Sequence, residues 1–335
     1  MKPLLVLSES DRTDLKNTLA NVEVSPYKDY PTFRRHVAEA ARAAGIPKSV
    51  RHACDQIRSE RAQGIAEAHV LRNCPIDDEI PILDNEDPSG DKRALKHTFV
   101  AEAWLELFGR LSATPLLAYA TRFGGDFFTD VVAINRYKGQ QTGYSDGEVV
   151  FHNDRTAHPV RADYITLLGM RCPPDELIYT GFVSGRLLLA LLERDVQDTL
   201  RQSYFMTPFD VVSRDAGIAM EASPSHAILS GGYSIRYLDT HTTVAADAPS
   251  EAKDALLSLK NALSRAEKTR HRLLVGDMLT FANQDGLHNR EHIEITDPDS
   301  ALQRWLLKTY AFRDQAAADV HDGRWVDGIP GKVGD

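Results

Sequence analysis

The chain has 335 residues and a net charge of −9. That length can bury one large core with an accessory region, and the acidic balance disfavours sequence-independent nucleic-acid binding, which needs a basic surface. Three cysteines, Cys54, Cys74 and Cys172, are an odd number without metal-motif spacing and read as reduced thiols with no zinc or disulfide role. No apolar run reaches the length of a membrane span, and the apolar stretch after Met1-Lys2 is too short for a signal peptide. Cytoplasmic residence without a membrane partner is expected, and a homo-oligomer is left open.

Taken in chain order, residues 8–21, 31–44 and 49–64 read as helices, with Ser8 or Ser10 able to cap the first and Val37, Ala40, Ala41 and Ala44 repeating along the second. Residues 75–92, rich in Pro, Asp, Glu and Gly, read as a long loop or lid edge. Helix resumes over 95–111. From Leu116 onward short β-like runs dominate: 131–135, 149–151, 164–170 and 177–182. Two helical insertions are expected at 184–201 and 249–270, the second with Leu256, Leu257, Leu259, Ala262 and Leu263 on an apolar face. The expectation is one domain: a mainly helical N-terminal layer over residues 1–112, a double-stranded β-helix (jelly-roll) core with insertions over 113–315, and a flexible tail over 316–335.

His152-Asn153-Asp154 follows the β-like run Glu148 to Phe151. Residues two apart on a strand leave the same face, so His152 and Asp154 can grip one ion. His288, beyond the turn-and-strand pattern that starts at Gly276-Asp277, supplies a third donor. Two imidazoles and one carboxylate hold iron(II) on one face and leave three positions for a co-substrate and dioxygen. Alone, a His-x-Asp triplet among 12 histidines is more often a chance surface pair, and a lone turn histidine is more often solvated.

Four blocks in order carry a resemblance. Leu117 to Thr121 with Gly124-Gly125-Asp126 and Phe128 to Val132, then Gln141-Thr142-Gly143 through His152-Asn153-Asp154, then Gly276-Asp277, Asn283, His288 and Arg290, and finally Arg304-Trp305-Leu306-Leu307 are similar to the clavaminate synthase-like iron(II)/2-oxoglutarate oxygenases of the taurine dioxygenase superfamily. The resemblance covers about Leu116 to Asp314. Departures are specific: Asp154 stands where the subgroup has Glu, Ala282-Asn283 replaces Asp-Asn, Asn289 replaces Gly, and two extra residues fall within Ile293 to Ser300.

The resemblance implies iron(II) on His152, Asp154 and His288, with 2-oxoglutarate and O2 as co-substrates. It implies Arg304 and Thr180 on the co-substrate's distal carboxylate, since a guanidinium fork can pair both oxygens. Taken without it, an Arg beside a Trp and a Thr in a strand are usually structural. Asp154 argues against halogenation, because related halogenases lack that carboxylate. Free amino acid hydroxylases of this group suggest an L-amino acid, of basic (lysine or arginine) type, held by Gln141, Thr142, Asp239 and Lys308 and converted to a hydroxy-amino acid with succinate and CO2. Two other readings stay open: an oxygenase of a carrier-tethered or peptide precursor, and a non-catalytic metal- or metabolite-binding jelly roll. An intact set of His152, Asp154, His288 and Arg304 favours catalysis.

Overall fold

The structure is a computed structural model that describes residues 1–215, 217 and 221–334. Helix α1 (Glu9–Ala20) starts where the Ser8 hydroxyl accepts from Asp11 N, and α2 (Tyr30–Ala44) starts at Asp29 with a proline in its first turn. Helix α2 buries Tyr30, Phe33 and Val37, while α3 (Lys48–Gln63) buries Val50, Ala53, Cys54 and Ile57, the spacing of a single apolar stripe. Gly64 ends α3 in the left-handed region at φ 60°.

The expected loop over 75–92 holds a helix. Asp87 caps Gly90 N and Pro88 opens α4 (Pro88–Leu95), so an Asp-Pro start signal lay inside a stretch whose composition reads as loop. The expected helix over 95–111 is correspondingly broken, and only α5 (Val100–Leu111) continues. A tertiary contact makes the break: the Asp77 carboxylate accepts from Val100 N (3.0 Å) and Ala101 N (3.2 Å), and from the buried Lys96 ammonium (2.8 Å), which also reaches Glu102.

Two sheets form the core. The larger has eight strands: β1 (Leu5–Val6), β2 (Ala68–Arg72), β3 (Leu116–Tyr119), β4 (Thr129–Val131), β6 (Tyr164–Arg171), β13 (Met278–Ala282), β15 (Trp305–Ala311) and β16 (Lys332–Val333). Their order is β1-β2-β13-β6-β15-β3-β16, with β4 also beside β15. The smaller sheet runs in the order β12 (Thr269–His271), β7 (Leu177–Ser184), β14 (Gly286–Glu294), β5 (Val149–His152). Period-two alternation sorts the larger sheet's side chains: Leu168, Met170, Met278 and Leu307 pack under the helical layer, whereas Ile165, Leu167, Leu279, Phe281 and Leu306 point toward the smaller sheet. Phe182 of β7 meets Phe281 across the gap, with ring centroids 5.8 Å apart. This is the jelly-roll core expected from the sequence, although β1 and β2 from the N-terminal layer join its sheet.

The insertions are shorter than expected. The run from Ser184 splits into α6 (Gly185–Ala190) and α7 (Arg194–Leu200), since Ser184 ends β7 and caps α6. The second insertion ends with α9 (Glu251–Arg265), and Thr269 to His271 are needed as strand β12 beside β7. Between them lie the short ribbons β8 (Phe205–Met206) with β11 (Thr243–Val244) and β9 (Leu229–Ser230) with β10 (Ser234–Ile235), and the one-turn helix α8 (Val211–Asp215). Leu259, Ala262 and Leu263 pack inward as expected, but Leu257 is exposed.

After α10 (Pro298–Leu302) and β15, the tail is packed down and not loose. It forms α11 (Gln315–Asp319) and then β16, which pairs in parallel with β3 and buries Val333 completely. Gly331 permits close approach there: it has φ 88°, and a Cβ on it would lie 2.4 Å from Leu116 O. Gly331→Ala is therefore expected to destabilise the fold by more than about 1 kcal/mol, seen as a lower midpoint of thermal unfolding; an unchanged midpoint would show that the tail is not held there. The three cysteines are buried and unpaired. Among the described residues, no helix is long and apolar enough to cross a membrane.

Candidate metal centre and co-substrate pocket

His288 sits inside the nine-residue strand β14, in register opposite His152 at the end of β5. The imidazole centroids are 4.2 Å apart. Asp154 follows two residues after His152, and its Oδ1 lies 3.1 Å from His152 Nε2 and 3.5 Å from His288 Nε2. One donor atom from each of the three residues falls within 4.8 Å of the others. The β5–β14 register shifts between His288 and Arg290, a local irregularity of the kind that re-aims side chains beside a site.

Two asparagines hold this geometry. Asn153, buried between the two ligands, donates to Asn283 O and to Gly286 O (2.9 Å) and accepts from Tyr237 N (2.8 Å). Asn283 accepts from Asp154 N (2.8 Å) and donates to Ala162 O (3.0 Å). The sequence pairs Asn283 with a family motif but gives no role to Asn153, whose partners lie 84 to 133 residues away.

The donors are in the states a metal needs. Val150 O can only accept, so His152 Nδ1, 2.8 Å away, carries the proton and leaves Nε2 free. Burial, helped by His152, pushes His288 down to about 4, so its ring is neutral at physiological pH. Burial alone would raise Asp154, but Lys308 above all, then His152 and His288, hold its carboxyl well below the usual range. Neutral imidazoles and an ionised carboxylate are the ligand forms that bind a divalent cation. The three residues thus fit iron(II) as a facial set.

The outer carboxylate oxygen is occupied. Asp154 Oδ2 accepts from Lys308 Nζ (3.0 Å) and from Tyr310 OH (2.8 Å), and the two donors are themselves 2.8 Å apart. Lys308 is thus committed to Asp154, not held free for a substrate carboxylate as expected. Tyr310 had no signal in the sequence beyond its place two residues along β15. Tyr310→Phe removes one bond to the candidate ligand Asp154, and about 10-fold weaker metal binding is expected; anaerobic titration with Fe(II) checks this, and unaltered affinity would leave Lys308 alone as the anchor.

Behind the ligands lies a pocket floored by Ile165, Leu167, Phe281 and Leu306, with Thr180 and Arg304 at its far end. Arg304, immediately before β15, is 8% exposed, and its Nη2 is enclosed without a hydrogen-bond partner. Among the described residues no carboxylate pairs with it, and burial lowers its pKa. Its neighbour Trp305 is fixed by donating to Asp130 Oδ1 (2.9 Å), and Asp130 is ion-paired to Lys92. An enclosed, unpaired guanidinium is costly unless an anion arrives. Arg313, by contrast, is fully used on Asp163.

A second cavity opens on the other side of His152 and Asp154, lined by Gln141, Thr142, Arg122, Arg155, Asp210 and Lys308 among others. Gln141 is a backbone prop there, its Oε1 accepting from Val150 N at 3.1 Å. Arg122 pairs with Asp210 and donates to Ser213 Oγ (3.1 Å), which also accepts from Arg155 (2.8 Å). Burial would raise Asp210, but Arg122 and Arg155 bring it to about 2. Asp239 lines neither cavity: its carboxylate accepts from Tyr237 OH (2.7 Å) and Thr240 N (2.9 Å), the ordinary turn role of an aspartate after a strand. Arg290, matched in the sequence without a role, donates to Gly147, Gly143 and Ser145 carbonyls and so pins the loop leading into β5.

Comparison with known proteins points the same way. The chain is 26% identical over 197 residues to the L-asparagine oxygenase of Streptomyces coelicolor, a match covering 59% of this chain and 57% of that protein. No family model matches. Among solved structures it is similar to an asparagine oxygenase in complex with Fe(II), 2S,3S-3-hydroxyasparagine and succinate (TM-score 0.81, 20% identity, 99% of both chains). It is equally similar to the non-heme iron oxygenase OrfP in complex with Fe and alpha-ketoglutaric acid (TM-score 0.80, 21% identity, 99% of this chain and 100% of that one). The resemblance read from the four sequence blocks is therefore borne out: the chain has, over nearly its whole length, the fold of the non-heme iron oxygenases that these proteins represent.

Proposed function

We propose that this protein is an iron(II)- and 2-oxoglutarate-dependent oxygenase that hydroxylates a free L-amino acid. One observation carries the reading: a buried, unpaired Arg304 closes the same pocket that His152, Asp154 and His288 open into. A structural metal site has no use for such a cation, whereas a dicarboxylate chelating iron at one end needs a counter-charge at the other. A relative named for L-asparagine oxygenation and a structural neighbour in complex with succinate and (3S)-hydroxy-L-Arg support a free amino acid as the substrate class.

When bound, iron(II) with 2-oxoglutarate and O2 supplies the oxidising power for C–H hydroxylation, releasing succinate and CO2. The protein's residues provide placement. His152, Asp154 and His288 would hold the metal on one side, Arg304 and Thr180 would fix the distal carboxylate, and the apolar floor of Ile165, Leu167, Phe281 and Leu306 keeps water from the co-substrate's chain. Lys308 and Tyr310 hold the outer oxygen of Asp154 and so orient the carboxylate that would hold the metal.

A basic side chain, the finer expectation, depended on Asp239, which does not reach the cavity. Among the described residues lining that cavity the carboxylates are Asp154 and Asp210, already paired with Lys308 and Arg122, so a cationic side chain meets no free counter-charge and a neutral or acidic amino acid is favoured over lysine or arginine. Succinate formation from 2-oxoglutarate across the common L-amino acids tests this. Stimulation by a neutral or acidic amino acid is expected; stimulation by lysine or arginine alone would overturn the side-chain assignment, and none by any free amino acid would favour a tethered precursor.

A further inference from the structure

We propose that 2-oxoglutarate enters its pocket, and succinate leaves it, through a separate opening on the far side of Arg304 from the amino-acid cavity. This rests on the oxygenase reading above.

Three cavities lie in series. The amino-acid cavity and the co-substrate pocket share His152, Asp154 and Lys308 as a common wall. The co-substrate pocket in turn shares Val131, Arg290 and Arg304 with a third cavity, which has no lining residue in common with the amino-acid cavity. That third cavity reaches the surface between α10 and the exposed Lys138, past the small side chains of Ala133 and Ala301.

The charges along this path suit a dianion. Lys138 stands at the rim and Arg290 and Arg304 at the inner end, against Asp146 and Asp299. Arg290 spends its N–H groups on the carbonyls of the loop before β5, so it contributes field without a contact. Arg304 keeps an unpartnered donor. A molecule entering keto-acid end first would face the metal ligands as its trailing carboxylate reached Arg304, with no need to turn round inside the pocket.

The amino-acid cavity offers a poorer route. Asp210 and Ser213, from the segment covering it, are tied across to Arg122 and Arg155, and a bound amino acid would stand between that opening and the co-substrate pocket. A second opening lets succinate leave and 2-oxoglutarate return without release of that cover.

The test uses the full-length protein loaded anaerobically with Fe(II), with 2-oxoglutarate association and dissociation followed by stopped-flow tryptophan fluorescence. Ala301→Trp, at a half-exposed wall position, should lower both rates about tenfold while the equilibrium constant moves less than about twofold, the mark of a narrowed passage and not a damaged site. Lys138→Glu, at an exposed position, should slow association alone, more at low ionic strength. Wild-type rates in Ala301→Trp together with slowed rates in Leu238→Trp, at the amino-acid cavity, would overturn the separate opening. Failure of the wild-type protein to bind 2-oxoglutarate would overturn the oxygenase reading instead.

Discussion

Asp154→Ala is expected to abolish 2-oxoglutarate turnover and to weaken Fe(II) binding far more than any other single change outside the triad. The carboxylate is the one anionic member of the triad, and its loss leaves two imidazoles with Lys308 stranded beside them, 3.0 Å from where Oδ2 had been. A buried ammonium without its partner repels a divalent cation as well as carrying its own desolvation cost, on the order of 3–5 kcal/mol when one member of a buried pair is removed. His152→Ala and His288→Ala should also abolish turnover, with smaller losses of metal affinity because neither strands a charge. Metal titration and succinate formation on the same preparations check this. Metal affinity equal to wild type in Asp154→Ala would remove Asp154 from the ligand set.

Arg304→Ala should raise the 2-oxoglutarate requirement by about 10- to 100-fold, corresponding to a charge-assisted bidentate contact of roughly 1.5–3 kcal/mol. Arg304→Lys should recover only part, since a point charge does not reproduce the fork. The effect on stability has the opposite sign to that of a structural arginine. Without ligand, Arg304 is enclosed and unpaired, so its removal relieves a desolvation cost and the ligand-free protein should melt at the same temperature or higher. Addition of 2-oxoglutarate should raise the melting temperature of the metal-loaded wild type and not of the variant. An unchanged 2-oxoglutarate requirement combined with a lower melting temperature would make Arg304 a packing residue.

The parts of this molecule legible in its sequence are those set by short-range pattern. Ser8 and the apolar stripe of α2 announce helices, and Tyr164 to Met170 and Leu177 to Phe182 announce strands, because burial on both faces leaves continuous apolar runs. His152 and Asp154 were legible as a pair because their two-residue spacing is local. His288 is legible as a third donor after a turn-and-strand pattern, but only the order of four matched blocks ties it to the first pair, since nothing nearby shows that its strand lies against β5. Tertiary contacts set the rest. Asp77 cuts the expected helix at Val100 from 23 residues away, and Thr269 to His271 become a strand because β7 offers an edge. The glycine-rich tail reads as loose only if the close approach at Gly331 is unknown. Asp239 shows the limit of matched position: it has the right residue at the expected place, yet Tyr237 and Thr240 take its carboxylate. Arg122 and Asp210, 88 residues apart, build a charge pair in the second cavity beside His152 and Asp154 without any motif.

The central claim is that His152, Asp154, His288 and Arg304 form one centre in which metal and 2-oxoglutarate bind together. Anaerobic calorimetric titration of 2-oxoglutarate into the protein, with and without one equivalent of Fe(II), tests it most directly. The account predicts binding at one site per chain that is strongly enhanced by the metal, and that is lost in His288→Ala and sharply weakened in Arg304→Ala. Binding of equal strength without metal, or binding that survives unchanged in both variants, would contradict it.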